Sequence, residues 1–261
     1  CIRDSTRGIQ KQGDGECRAE SVAKHYMGFH QSEGGIHGTV CSIPERLLRE
    51  VYGLPFQAAI AEENLRGVMP CYCSIGGEPV SASEHLLTQI LRQEMGFDGV
   101  AVADYSAVSN VHHTQKLYET EAEAGLACLS AGMDVELPDT VCFNEEMKAM
   151  FAQGKADMAL LDQAVRRVLR AKFRMGLFEH PFALTGSALS EMVHHPEDEL
   201  ITLQSALESL VLLKNDNHVL PVGKNVRKIA LIGPHADNAR HFFGGYTHLS
   251  MVCLLYTSPS P

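Results

Sequence analysis

The sequence predicts an α/β fold built on a parallel sheet, and three observations carry that prediction. Short, almost wholly apolar runs recur between amphipathic helical stretches, the pattern of parallel strands covered on both faces. Strand and helix alternate four times within the first 178 residues. The residues best suited to chemistry, Lys24, His25, Tyr72, Asp104 and Glu136, all fall at the C-terminal ends of those runs. Parallel α/β folds gather their functional groups there. Four such units make half of a closed eight-stranded barrel or a small doubly wound sheet, and periodicity alone leaves both open.

The elements follow in order. CIRDSTRGIQ reads as the tail of a helix, and ESVAKHY, residues 20–26, as the first strand. Ser42 with Glu45 at N3 and Pro44 in the first turn reads as a capping box for a helix reaching about Glu63. RGVMPCYC is the second strand. Ser81 and Glu84 suggest another capping box, for a helix ending at Gly96, a residue suited to the C′ position. GVAVADY is the third strand, TEAEAGLACLSAG a helix closed by Gly132, and MDVELP a fourth strand stopped by Pro138. Residues 144–177 are helical with a break near Gly154. Residues 179–200 lose periodicity and read as a linker with a short helix. ITLQSALESLVLLKND runs from helix to strand, and KIALIGPHAD is a further strand, the start of a second α/β domain. CLLYTSPSP, residues 253–261, has no structural role and reads as a non-native tail, and the whole chain reads as a fragment.

Composition excludes several classes. The 261 residues are 45% hydrophobic and 21% charged, a globular balance, and carry a net charge of -10. Without a basic run the chain is a poor nucleic-acid binder, and no apolar stretch approaches the roughly 20 residues of a membrane span. Eight cysteines at irregular spacing favour reduced thiols and a reducing compartment. The His pairs at 112–113 and 194–195 lack metal-ligand spacing, so no metal is expected. SEGGIHG does not join a strand directly to a helix, so no nucleotide cofactor is expected either.

Each candidate has a plain structural alternative. Asp104 ends a buried strand, where a carboxylate needs partners or solvent; it is a catalyst or the N-cap of the following YSAVSN segment. Lys24 and His25 are neighbours, and alternation points only one of them inward unless the strand is ending. Tyr72 is a binding residue or a rim aromatic. Glu136 is a second carboxylate in the layer of Asp104 or a hydrogen-bonding residue of the rim.

Several stretches, in order, resemble one family. They are VAKHYMGFHQSEGG, IPERLLREVYGLPFQAAI, GVMPCYCSIGGEPVSAS, GFDGVAVADYSAV, AGMDVELP, VRRVLRAKFRMGLFEHPF and ESLVLLKNDNHVLPV. Together they are similar to family 3 glycoside hydrolases of the β-glucosidase and β-xylosidase type. The resemblance implies a TIM-like (β/α)8 barrel followed by an α/β sandwich. Residues 1–178 would hold barrel strands five to eight, 179–200 the linker and 201–252 the start of the sandwich. It implies a carbohydrate substrate and no cofactor.

By the same resemblance, Asp104 matches the catalytic nucleophile, Lys24 and His25 the pair binding sugar hydroxyls, and Met69 and Tyr72 the substrate-contacting Met and Tyr. Tyr105 stands where the family often has a Trp platform beside the sugar ring. Retaining glycosidases hold two carboxyl groups roughly 5 Å apart. The acid/base of this type is a Glu on the sandwich domain, and none is assigned here. The N-acetylglucosaminidase members use a His-Asp dyad in the loop after the Lys-His strand; this loop has His30 and His37 but no Asp partner. Ile36 stands where many members have Arg, and Cys73 where Asn is usual. Two other readings are a barrel enzyme forming a Schiff base on Lys24 and a carbohydrate-binding protein without activity. Half a barrel would expose two apolar strand edges, so the chain by itself is expected to aggregate and to be inactive.

Overall fold

The computed structural model describes residues 2–11, 19–193 and 195–238. The chain divides into two compact units, Cys1–Ala183 and Leu184–Pro261.

In the first unit, α1 (Ile2–Gln10) confirms the helical reading of the opening residues. β1 (Val22–Tyr26) follows, then a loop of two tight turns and β2 (Val40–Cys41). The helical path expected as far as Glu63 is present in three pieces: α2 (Glu45–Leu47), a wide turn at Leu48–Tyr52 and α3 (Leu54–Glu63). Its expected cap is not made. Pro44 is extended and sits at the N-cap, which leaves Ser42 too far back to reach an N3 amide. The Ser42 hydroxyl donates instead to Glu33 Oε1 at 2.8 Å.

β3 (Gly67–Pro70), β4 (Ser74–Ile75) and β5 (Glu78–Pro79) come next. Gly76 and Gly77 both have positive φ, 63° and 89°, which a two-residue hairpin turn requires. β2 pairs parallel with β4, and β4 pairs antiparallel with β5, forming a small second sheet unforeseen in the sequence. The second expected capping box also shifts. Ser81 is buried in a single turn, Val80–Ala82. Ser83 Oγ accepts from Leu86 N at 3.3 Å at the start of a wide helix, His85–Glu94. Gly96 has the left-handed φ expected past that helix, 75°.

β6 (Val100–Ala101), α4 (Ala107–His113), α5 (Glu121–Ala131), α6 (Glu145–Ala152) and α7 (Met158–Arg174) complete the unit. A capping box that the sequence reading passed over does form: Thr120 Oγ1 accepts from Glu123 N at 3.2 Å, and Glu123 Oε2 accepts from Thr120 N at 3.1 Å. Gly154 breaks α6 from α7 where expected, with φ 71°.

The main sheet runs β1-β3-β6, all parallel, with Val22 opposite Gly67 and Gly67 opposite Val100. Each crossover carries helix, as parallel pairing demands. The fourth predicted strand shrinks to a single parallel bridge, Val102 to Val135. Ala103 N donates to Val135 O and Ser106 N to Leu137 O, but between them the chain is already turning into α4. Gly99, at the entry to β6, lies against the Arg66 backbone; a Cβ there would overlap the Arg66 carbonyl, 2.6 Å from its carbon. Tyr26, Met27, Val68, Leu86, Leu87, Ile90, Leu91, Val108 and Met133 fill the core on both faces of the sheet. A smaller cluster of Ala122, Leu129, Met147, Phe151 and Ala164 joins the last three helices.

In the second unit, α8 (Gly186–Val193) and α9 (Pro196–Ser209) are helical, so the expected change from linker to sandwich at residue 200 falls inside a helix. Apart from one turn at Asp216–His218, residues 210–238 are irregular. The strands read in VLLKND and KIALIGPHAD are therefore absent among the described residues; a strand is stable only with ladder partners. The expected tail, residues 253–261, lies outside the described residues, as does His194.

Candidate active site

Asp104 is the first residue beyond the β6 ladder. Val102 N donates to Val68 O and Ala103 N to Val135 O, both at 2.9 Å; beyond them Ser106 N reaches Leu137 O at 2.8 Å. The Asp104 carbonyl accepts from Ala107 N at 2.9 Å, which turns the chain toward α4. Its carboxylate does not cap that helix. Ser106 holds the N-cap position with a left-handed φ of 62°, while Asp104 Oδ1 accepts from its neighbour, Tyr105 N, at 2.8 Å. Oδ2 lies 3.1 Å from His25 Nε2, the two side chains being 13% and 20% exposed. The carboxylate is thus held by one backbone donor, approached closely by the His25 ring, and still partly open to solvent.

His25 reaches it through an irregularity in β1. Lys24 pairs with Met69, but Tyr26 pairs with Pro70, so two steps on β1 match one on β3. Such a bulge re-aims side chains and suspends strict alternation. Burial pushes the His25 pKa down; the Asp104 carboxylate pulls it partly back up, and the nearby charge of Lys24 opposes protonation. With burial the largest influence, the ring is biased toward its neutral form where it meets the carboxylate.

Tyr72 lies two residues beyond β3 and ties the two strand ends together. Its hydroxyl donates to Tyr105 O at 2.7 Å, and its own carbonyl accepts from Gln115 Nε2 at 2.9 Å. The Tyr105 ring is 59% exposed and free to offer a face. Met69 sits on β3 in register with Lys24. The His37 ring meets Tyr72 edge-on at 4.6 Å, and Phe29 packs against His25 at 5.2 Å and His37 at 5.8 Å. So β1, β3 and β6 deliver Lys24, His25, Met69, Tyr72, Asp104 and Tyr105 to one end of one sheet.

Comparison with known proteins adds the decisive observation. The family model described as "Glycosyl hydrolase family 3 N terminal domain" matches residues 3–171. The chain belongs to glycosyl hydrolase family 3. It is 34% identical over 262 residues to a beta-xylosidase of Formosa agariphila, an alignment covering 93% of this chain and 36% of that protein. It is also 34% identical over 254 residues to a lysosomal beta glucosidase of Dictyostelium discoideum, covering 93% and 31%. The chain thus spans about a third of the length of these curated relatives. Among solved structures it resembles a β-glucosidase from Erythrobacter marinus, with TM-score 0.77 and 31% identity over 85% of this chain and 29% of that one. A β-glucosidase from Listeria innocua in complex with glucose gives 0.73 and 28%, over 84% and 30%.

Within this family 3 chain, Glu136 has a structural task. It is 6% exposed, and its two oxygens accept from Cys142 N, at 3.0 Å each, and from Phe143 N at 2.8 Å. It pins the loop leading into α6, as its plainer reading anticipated. His112 Nδ1 and His113 Nε2 are likewise engaged, with Tyr118 O and Glu121 Oε1 at 2.8 Å each. Phe29 and Gln115 were missed because no pattern marks them: one lies in a turn, the other just past a helix. Asp134 was missed because, in a stretch read as a strand, only its neighbour Glu136 falls at the end where functional groups gather. Its carboxylate accepts from Arg92, from Arg167 and from Ala101 N at 2.8 to 2.9 Å.

Proposed function

We propose that the protein containing this chain is a retaining, exo-acting β-glycosidase on β-glucosides or β-xylosides. Asp104 attacks the anomeric carbon and forms a covalent glycosyl ester. The carrying observation is the Asp104 carboxylate itself. It stands at the C-terminal rim of a parallel sheet, held by Tyr105 N, 3.1 Å from His25 Nε2 and still partly open. A nucleophile has to be positioned, and the Tyr105 amide with the adjoining His25 ring serves that end. Lys24 and His25 bind sugar hydroxyls, Met69 and Tyr72 line the sugar, and the exposed Tyr105 ring stacks on its C–H face. The relatives named β-glucosidase and β-xylosidase support the substrate class.

In this reading β1, β3, β6 and the Val135 segment are strands five to eight of a TIM-like barrel within residues 1–178. Residues 179–200 link it to an α/β sandwich beginning at 201. The second carboxyl group, needed to protonate the leaving oxygen and then activate water, is not assigned to this chain, because Glu136 is committed to backbone amides.

A mechanism-based 2-fluoro-glycoside incubated with the full-length protein should label Asp104, found by peptide mapping. A label on another residue, or unchanged turnover by Asp104→Asn, overturns the proposal.

A further inference from the structure

One apolar ring stands among three imidazoles at the rim of the sheet. Phe29 meets His25 at 5.2 Å, His30 at 5.8 Å and His37 at 5.8 Å, each contact edge-to-face. Two of those imidazoles continue into the site. His25 Nε2 lies 3.1 Å from Asp104 Oδ2, and the His37 ring meets Tyr72 edge-on at 4.6 Å. The third, His30, goes on to Tyr52 at 5.2 Å. Phe29 is therefore the common neighbour of the ring that approaches the carboxylate and the ring that approaches the tyrosine.

The backbone holds Phe29 in place. Gly28 precedes it with a left-handed φ of 75°, and a Cβ there would sit 2.5 Å from Ile43 Cδ1, so conformation and space both favour glycine. The turn then closes twice: Gln31 N donates to Gly28 O at 2.9 Å and Ser32 N to Phe29 O at 3.1 Å. The Ser32 hydroxyl donates to the same Phe29 carbonyl, and the Cys73 thiol reaches it at 3.7 Å. The ring also packs against the main core. A side chain on a pinned backbone with a packed underside has few rotamers left. Edge-to-face contact depends on ring orientation, so the imidazoles must match the orientation that Phe29 holds.

We propose that Phe29 is a positioning residue: its ring sets the orientation of His25 toward Asp104 and of His37 toward Tyr72 together. The proposal rests on the glycosidase reading of this site and adds a residue that acts through its neighbours. Phe29 has no group to donate, accept or carry charge, so its influence passes through the two imidazoles. A sugar hydroxyl then meets rings that need no reordering on binding. The same ring keeps water from one side of His25. His25 faces Asp104 from the end of β6, His37 from the following loop and Lys24 from its own strand. Burial lowers its pKa most; the Asp104 carboxylate raises it, and Lys24 and His37 lower it further. Removing the aromatic ring admits water and lets that value return upward.

The test uses the full-length protein with Phe29→Leu, which keeps apolar bulk and loses the flat ring, and Phe29→Tyr, which keeps the ring. With an aryl β-glucoside or β-xyloside, Phe29→Leu should lower kcat/KM about 10- to 100-fold, and Phe29→Tyr should recover most of that loss. Combining Phe29→Leu with His25→Gln, or with His37→Gln, should cost at least about threefold less than the product of the two single losses, because the changes undo one shared arrangement. A second readout is the titration of the His25 ring followed by NMR, its signal identified by its loss in His25→Gln. The midpoint should rise toward the ordinary value of about 6.5 in Phe29→Leu and stay in place in Phe29→Tyr. It is read without substrate, so it stands or falls separately from the glycosidase reading, which the labelling of Asp104 decides. Phe29→Met makes the same comparison should Phe29→Leu not fold. Losses that multiply, a leucine variant of full activity, an unmoved midpoint, or a tyrosine variant no better than leucine overturns the proposal.

Discussion

Asp104 and Asp134 both serve the end of the same short strand and are held in opposite ways. Asp134 accepts from Ala101 N within β6 and binds the guanidinium groups of Arg92 and Arg167, with its side chain 0% exposed. Asp104 follows the strand, accepts from one amide, lies against the His25 ring and keeps an open edge. Charge matched by charge leaves nothing to offer a ligand. A carboxylate with one amide donor and an open edge keeps lone pairs for a ligand. On the proposed reading, the difference separates a carboxylate used to assemble the sheet from one left for chemistry, and substitutions at both should divide stability from activity.

The largest effect is expected at Asp104. Asp104→Asn in the full-length protein should lower turnover of an aryl β-glucoside or β-xyloside by about 10^4-fold or more, while unfolding free energy moves by less than about 1 kcal/mol. A variant that loses fold and activity together would erase the contrast between the two aspartates. Asp134→Ala should do the reverse. It strands Arg92, whose pKa burial already pushes down, and should cost about 3–5 kcal/mol in urea unfolding. A cost under about 1 kcal/mol would make the network ornamental.

Smaller effects grade the rim. Tyr72→Phe removes the hydrogen bond to Tyr105 O and should cost about 1 kcal/mol in the same assay; a cost as large as that of Asp134→Ala would show the rim to be structural too. The mildest concerns pH. Because folding holds the His25 pKa below its ordinary value near 6.5, its contribution to stability is complete above that value. It is lost as pH falls toward the depressed folded value, since the unfolded chain takes up the proton first. His25→Gln should flatten the fall in urea midpoint between about pH 7 and pH 5; an unchanged slope would assign it to other groups.

Apolar runs made the first three strands legible, and with them the shared end where Lys24, Tyr72 and Asp104 meet. Local patterns were a poorer guide where a side chain had a competing partner. Ser42 and Ser81 carry the letters of capping boxes, yet one hydroxyl is claimed by Glu33 and the other residue is buried a turn too early, while Thr120, facing no rival, caps as its spacing allows. The bulge that turns His25 toward Asp104 is set by register with β3, which no single strand encodes. The arginines of Asp134 come from positions 92 and 167, and nothing local joins them. The strands read beyond residue 210 failed because strand propensity describes a surface that fits a sheet, not a sheet in itself.

Gly99 shows how far such dependence reaches. Its missing side chain lets the base of β6 close on the Arg66 carbonyl. Arg66 leads directly into β3, whose far end carries Met69 and then Tyr72. Any residue larger than glycine would push Arg66 aside, and the pairings of Gly67 with Val100 and Val68 with Ala101 would carry that push along the sheet. The gap between Tyr72 and Asp104 is therefore gauged at the opposite end of the sheet, by a methyl group that is not there, and drift at position 99 would be felt as a change in what the rim can grip.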